Sequence, residues 1–510
     1  MAKRKPQYKP LLFTTTMRNP ERLRGILAIL KPYNGKILTN SLILDVVKDI
    51  IKNGIYESNP EKKNKEIQDK LKNGETLTDT EVSQIIKDSP QDHKEAGFDR
   101  GWPSRFDTWY KFTKELGFVY YEMDTKIEFS EAGLMLIDNK HPEFQQQIFL
   151  NAFVKYQRNN PFRRVLNENV PLILLLETIK RINQDRRFNS KGITRNEIPI
   201  VLSWRDNNSE ALYEQIVKIR EQYSYNPSGE VILEICDNLT NGRHNSNKPK
   251  TILQEYPDEF LRKMRLTGLI TIRGMGRFVD LNTNEQETID YVLETYNKYK
   301  KYDTEKAYFD YMSSVDKNLI SAKAIPTINI IQEKKFLVKW ASHYRWDTIK
   351  DELTKLSQKQ SSRDDILKLI PEPLRLEFLS SLAIVTKFPD ILVKPNYVTD
   401  DEGLPTSYAP GGKPDIECEE MEKYILVEVT MLVGTQQYMK EIPSIARHLE
   451  ERINSGQDAI SLFVAPLIFI DSSRWVEFIE HKEGLKIYAF SIKEFILNLE
   501  TKDRLYIKNR

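Results

Sequence analysis

The front of the chain runs at helical spacing. Apolar residues recur three and four positions apart in SLILDVVKDIIKNGIY (41–56) and VPLILLLETIKRINQ (170–184). That rhythm predicts amphipathic helices, and ITRNEIPIVLSW (193–204) reads as further helical material. Twice the helical period gives way to a two-residue period. In WPSRFDTWYKFTKELGFVYYEMDTKIEFSEAGLMLID (102–138) the break falls at Gly117-Phe118, and FVYYEM then alternates as a half-buried strand does. In YPDEFLRKMRLTGLITIRGMGRFVDLNTNEQETIDYVL (256–293) the break falls at Gly268-Leu269 and LITIRG alternates. Asp124-Thr125 and Gly274-Met275-Gly276 supply turn residues, and a second strand and a helix complete each copy.

Helices followed by a two-stranded wing form the winged-helix plan, a helix-turn-helix variant. Two winged-helix-like modules are expected, over 1–150 and 151–290. Such modules serve equally in protein contacts, so DNA binding does not follow from the plan alone. Residues 291–370 read as a helical connector: YVLETYNKYKKYDTEKAYFDYM has helical spacing and little Gly or Pro. Its Lys and Tyr residues suit either a solvated helix face or contact with a polyanion backbone. From 371 the pattern changes again. The helix EPLRLEFLSSLAIVTKF (372–388) leads into a loop rich in Pro, Gly and Asp. Strands follow at 414–417 and 424–430, then a helix over about 435–454, strands at 459–470 and 485–491, and helical segments after each. The expectation is an α/β domain with a central mixed sheet over 371–510, behind a mainly α-helical front half.

A chain of 510 residues exceeds one core, so several domains are expected. No apolar run approaches the roughly 18 residues of a membrane helix. No apolar stretch of signal-peptide length follows the basic start MAKRKPQYKP, so neither a signal peptide nor a membrane partner is expected. Two cysteines, Cys236 and Cys418, exclude a disulfide framework and a cysteine zinc site, which suits a cytoplasmic protein. Charge is unevenly spread: from Pro371 onward there are 16 basic and 23 acidic residues, a net of −7, against +9 in front. A basic front and an acidic back suit a protein that grips a polyanion at one end and holds cations at the other.

One acidic residue is out of place. In the strand YILVEV, Tyr424, Leu426 and Glu428 share one face and Ile425, Val427 and Val429 the other. A carboxylate in so apolar a run costs several kcal/mol unless paired, protonated or metal-bound. Asp415 stands 13 residues earlier, just before another strand. Together the two suit a hard divalent cation held at the fork of adjacent strands. The alternative is an edge strand on which Glu428 discourages edge pairing.

The "PD" at 414–415, a hairpin and "ExT" at 428–430 look like the PD-(D/E)xK nuclease core. The wider stretch APGGKPDIECEEMEKYILVEVTMLVGTQQYMKEIPSIARHLEE (409–451) resembles the catalytic region of the AlwI family of type IIS restriction endonucleases and their strand-nicking relatives, and the resemblance extends over most of the chain. It implies four acidic site residues and a histidine. Asp415 and Glu428 are the metal pair, Glu377 on the preceding helix completes the metal site, and Glu441 and His448 are further site residues. Glu441 and His448 lie seven apart, on one face if both are helical. Where the generic nuclease core has Lys, this chain has Thr430, so Lys413, Arg447 or a second metal ion are candidates for the missing charge. Glu417 shares a strand face with Asp415 and is an outer candidate, with Cys418 beside it.

The resemblance implies a restriction enzyme that recognises a short asymmetric sequence in double-stranded DNA. It hydrolyses phosphodiesters at a fixed distance downstream with Mg2+, for which Mn2+ can substitute. One site cuts one strand, so double-strand cleavage needs a transient homodimer or a small-subunit partner. Arg105, Lys111, Arg195 and Arg205 are candidate base readers. Alternatives remain: a site-specific nicking endonuclease or large subunit of a heterodimeric enzyme, a transposon or repair nuclease with the same core, or an inert winged-helix regulator. There is no GxxxxGK[ST] phosphate loop, which argues against ATP-driven translocation.

Overall fold

The computed structural model describes residues 6–10, 21–56, 64–72, 75–138, 144–163, 165–189, 192–242, 248–320 and 330–505. The first five residues of the basic start lie outside these.

The front half is helical, with two short hairpins. The helix Asn40–Lys52 buries Ile43, Val46, Val47, Ile50 and Ile51 along one stripe, and Thr39 caps it by accepting the Leu42 N–H. It packs against the helix Trp102–Glu115. Burying each such aliphatic side chain contributes about 1.5–3 kcal/mol. After Trp102–Glu115 come strands Val119–Tyr120 and Glu128–Phe129 and the helix Glu131–Leu136. After the helix Tyr256–Arg265 come strands Ile270–Arg273 and Phe278–Leu281 and then the helix Gln286–Thr295. The break glycines have steric reasons. Gly117 (φ +77°) and Gly268 (φ +74°) sit in the left-handed region, where an added Cβ would meet the Met312 backbone and the Gln146 side chain respectively.

Each hairpin also gains a third extended partner from upstream. Ile193–Thr194 pairs with Val279 and Phe278, and Ile37 bridges Lys126. Residues 193–194, expected to be helical, are therefore strand, and the helical part is a 3-10 turn over Arg195–Glu197 followed by the α-helix Ile198–Ser203. The helical run expected over 291–312 is likewise interrupted: residues 296–304 are not helical. Their tyrosines find tertiary partners instead. The Tyr299 hydroxyl donates to the Asn159 carbonyl (3.0 Å), and the Tyr302 ring stacks on Tyr311 at 5.2 Å.

The back of the chain is built on a five-stranded mixed sheet. In chain order its elements are α1 (Glu372–Lys387), β1 (Leu392–Pro395), β2 (Ile416–Glu420), β3 (Lys423–Val429), α2 (Ile442–Asn454), β4 (Ala459–Ala465), α3 (Ile470–Glu483), β5 (Ile487–Ser491) and α4 (Ile492–Thr501). The sheet order is β5-β4-β3-β2-β1. β3 runs parallel to β4 and antiparallel to β2; β4 is parallel to β5 and β2 antiparallel to β1. The segment 389–413, expected as loop, holds β1 and the strand pair Val398–Thr399 and Pro405–Ser407.

The alternation read in YILVEV holds. Leu426 packs with Ile442, Ile445 and Leu449 of α2 on one face, while Ile425, Val427 and Val429 join the main core with residues of α1 and α4 on the other. β3 is central, so Glu428 is not an edge-strand gatekeeper. Among the described residues no helix is long and apolar enough to cross a membrane.

Candidate active site

β2 and β3 pair from Glu420–Lys423 to Ile416–Val427 and then part. Asp415 and Glu428 stand on the two arms of that fork. The Val429 N–H donates to Asp415 Oδ2 (2.8 Å), and the Asp415 N–H approaches Glu428 Oε2 at 3.4 Å. Asn396, directly after β1, holds the Asp415 arm. Its N–H donates to the Asp415 carbonyl (2.9 Å). Its side-chain amide donates to the Pro414 carbonyl (2.9 Å) and to Glu417 Oε1 (3.0 Å).

α1 brings Glu377 to the same place. The side chain is buried, and its Oε2 has no hydrogen-bond partner among the described residues. Burial, then Asp415 and Glu428, hold the Glu377 carboxyl well above its ordinary range. Burial and Glu428 likewise hold Asp415 well above its own, against the lowering effect of the Val429 N–H. Glu441 is pushed up to about 7 by burial and by Glu428, with Thr430 and Lys440 acting in the opposite sense. Carboxyls that raise one another in a desolvated place require a proton or a cation to settle their charge.

The chain between β3 and α2 sets the remaining side chains. Thr430 is buried; its Oγ1 accepts the Leu432 N–H (3.1 Å) and lies 3.4 Å from Glu441 Oε1. Gln437 is fully buried and fully used. Its amide donates to the Leu432 and Leu467 carbonyls (2.8 and 2.7 Å), and its Oε1 accepts the Phe469 N–H (2.9 Å) and the Ser472 hydroxyl (3.3 Å). Residues Gln437–Glu441 form a π-turn closed by the Ile442 N–H on the Gln437 carbonyl. Pro443 follows at the start of α2. The turn Thr251–Glu255 ahead of Tyr256-Pro257 has the same build. In both, the wide turn falls where the proline ring would crowd a regular helical turn and where one backbone donor is missing. Glu441 and His448 are therefore not on one regular helix as their spacing implied, yet both reach Glu428. His448, buried on α2, places Nδ1 at 2.7 Å from Glu428 Oε1, and its Nε2 has no hydrogen-bond partner among the described residues.

The structure thus brings together all five of the residues Glu377, Asp415, Glu428, Glu441 and His448. No group of three or more His, Cys, Asp or Glu side chains among the described residues is arranged to hold a metal ion. The donor chemistry nonetheless fits a hard divalent cation, which takes one or two carboxylates and completes its shell with water. The donors at the fork are carboxylate oxygens, and Glu377 Oε2 is an unmatched acceptor at the same place.

The other candidates stand apart. Glu417 is tied to Arg452 and Asn396. Cys418 is buried in the core opposite Ile425, where burial raises its thiol. Lys413 and Arg447 are exposed, and Arg447 bonds the Ser444 hydroxyl (3.0 Å). Lys440 is the cation that acts on Glu441. Nothing in the sequence singled out Asn396, Gln437 or Lys440; all three are polar residues in irregular or π-turn backbone, where no period reveals a direction.

The four candidate base readers have partners within the chain. Arg205 donates to the Leu239 (2.5 Å) and Asn238 (2.7 Å) carbonyls and to Asn241 Oδ1 (2.7 Å), closing the end of the helix Gly229–Thr240. Arg195 is paired with Asp258 and donates to the Asp365 carbonyl (2.6 Å). Arg105 stacks on Tyr56 and Trp109 and contacts His93. Lys111 lies 3.5 Å from Glu95.

Against this geometry, the sequence profile of the AlwI restriction endonuclease family matches residues 114–369 and 326–497. No curated protein sequence matches the chain significantly. Several solved structures are similar, among them two restriction enzymes. One is the small subunit (R.BspD6I2) of the heterodimeric restriction endonuclease R.BspD6I, 24% identical, with a TM-score of 0.25 over 29% of this chain and 75% of that one. The other is the restriction endonuclease FokI bound to DNA, 11% identical, with a TM-score of 0.23 over 97% of this chain and 96% of that one. At those scores neither likeness carries weight for the function of this chain.

Proposed function

The chain belongs to the AlwI restriction endonuclease family, and from that premise we propose that it is a type IIS restriction endonuclease of the PD-(D/E)xK kind. It recognises a short asymmetric sequence in duplex DNA and hydrolyses a phosphodiester at a fixed distance from it. One observation carries the reading: Glu377, Asp415, Glu428 and Glu441 converge at the parting of two central strands, in a place where burial and like-charged neighbours drive the carboxyls of Glu377, Asp415 and Glu441 upward.

Asp415, Glu428 and Glu377 would hold Mg2+. When bound, the ion supplies Lewis-acid stabilisation of charge developing on the phosphate. The chain's own groups do the rest. The Val429 N–H fixes the Asp415 carboxylate, and His448 Nδ1 fixes that of Glu428. Glu441, raised to about 7, is suited to accept a proton from the attacking water at its carboxylate. Thr430 orients it but supplies no charge. The two helix–hairpin–helix units of the basic front, read as winged-helix-like modules over 1–150 and 151–290, hold the DNA. Residues 291–370 connect them to the nuclease domain at 371–510. One such fork cuts one strand, so a second copy of the chain or a small subunit completes a double-strand break.

The test is digestion of supercoiled plasmid with Mg2+, beside EDTA and Asp415→Ala controls, with the ends mapped on both strands. Linear fragments ending at one offset from one motif establish the reading. Nicked circles broken on one strand at a fixed offset assign a nicking enzyme or a large subunit. No metal-dependent breakage overturns it in favour of an inert DNA-binding regulator.

A further inference from the structure

Arg273, at the end of a hairpin strand in the front half, reaches three carboxylates at once. Its Nε donates to Asp280 of its own hairpin (2.9 Å). Its Nη2 donates to Asp401 (2.6 Å) and its Nη1 to Glu402 (2.6 Å), both in the loop that leads from β1 toward β2. That loop is clasped from several sides. Asp401 Oδ2 also accepts the N–H and hydroxyl of Thr283 (2.9 and 2.5 Å). Asp400, fully buried, takes Arg265 Nη2 at 3.3 Å. Across the loop, Lys339 pairs with Glu402, and Trp340 Nε1 donates to the Glu402 carbonyl (2.9 Å). Gly403, at φ +78°, passes so close to Phe336 that a Cβ there would stand 2.4 Å from its ring. The chain then continues to Asp415.

A planar guanidinium spread over three carboxylates is satisfied in one orientation. We propose that Arg273, with the Asp400–Glu402 loop, is a positioning device that fixes the distance between the recognised bases and the cut phosphodiester. The proposal rests on the reading of the chain as a type IIS endonuclease. It assigns Arg273 no contact with DNA and no part in the chemistry. Its effect passes through the loop to the strand arm that carries Asp415.

The test uses the full-length enzyme, Mg2+ and a linear duplex bearing one recognition site, with the ends mapped to the nucleotide. The wild type cuts at one position. Arg273→Ala spreads the ends over neighbouring phosphodiesters, with summed cutting reduced by no more than about a hundredfold. Arg273→Lys, a point charge that cannot span three acceptors, also widens the distribution. Asp401→Asn and Glu402→Gln approach the clasp from the other side and do the same, which covers the case in which Arg273→Ala fails to fold. Single-position cutting by every folded variant overturns this inference alone. Complete loss of cutting in folded variants also overturns it, by placing Arg273 in DNA binding or chemistry. A silent wild type overturns the functional reading and this inference together.

Discussion

His448 Nδ1 stands 2.7 Å from Glu428 Oε1, joining α2 to the carboxylate at the end of β3. The contact commits one ring nitrogen and leaves Nε2 buried without a hydrogen-bond partner among the described residues. A histidine so placed fixes the rotamer of a carboxylate that has to present its other oxygen elsewhere, as partners behind metal ligands do.

His448→Ala should therefore weaken metal use before it weakens DNA binding. The expected outcome is single-turnover cutting reduced about 10- to 100-fold, with a higher Mg2+ concentration at half-maximal rate and unchanged target affinity in EDTA. Parallel cleavage and mobility-shift titrations check it. Weakened binding with an unaltered Mg2+ requirement would remove His448 from the site.

Glu377→Gln separates activity from stability. Glu377 is buried beside Asp415 and Glu428, and all three influences on its carboxyl raise it. A neutral amide removes the cost of burying that group among like charges. The variant should lose cutting yet melt a few degrees higher than the wild type in EDTA. Adding Mg2+ should raise the wild-type melting temperature, because a ligand that binds the folded state alone stabilises it, and should move the variant less. A variant that melts lower in EDTA would show that Glu377 is stabilised by its surroundings rather than strained by them.

Gln437→Leu tests the turn that delivers Glu441. The substitution preserves bulk but removes the half-buried hydrogen bonds to the Leu432 and Leu467 carbonyls and from the Phe469 N–H. Each group left unpaired costs roughly 1–3 kcal/mol. The expected result is a lower melting temperature, with cutting reduced further than the loss of folded protein explains. Thermal unfolding and rate per folded molecule check it; wild-type cutting by the folded fraction would make Gln437 purely structural.

What could be read from the sequence depended on where side chains repeat. The alternation of Tyr424, Leu426 and Glu428 against Ile425, Val427 and Val429 revealed the two faces of β3, because a central strand must satisfy both layers. β1 was hidden: LVKP is short, charged and ends in proline, which an edge strand tolerates. The non-helical course of 296–304 was hidden too, because Tyr299 and Tyr302 are held there by Asn159 and Tyr311, far away in sequence or across a turn. Arg195 and Arg205 looked free for base contacts in the sequence, since nothing local reveals Asp258 or the carbonyls of Leu239 and Asn238 as their partners. The carboxylates Asp415 and Glu428 were conspicuous because of their apolar surroundings; Asn396 and Gln437, which hold their frame, were not.

Lys155 gives a pH dependence remote from the fork. Its buried ammonium donates to the Met312 carbonyl (2.9 Å) and to the carbonyl and hydroxyl of Ser314 (2.5 and 3.3 Å), closing the end of the helix Glu305–Ser313. Burial lowers it to about 7, opposed by Asp316. An unfolded lysine keeps its proton up to about pH 10.4. Between those values the unfolded chain binds more protons than the folded one, so this residue's contribution to stability rises with pH across the window and is flat below about 7. Relative to Lys155→Met, the wild type should therefore gain stability from pH 7 to 9, by at most about 1.4 kcal/mol per pH unit. Urea unfolding of both proteins at pH 7, 8 and 9 measures the difference. A difference that stays constant would mean that the carbonyls around Lys155 keep its ammonium charged throughout, and that the helix end is held by an ion rather than an amine.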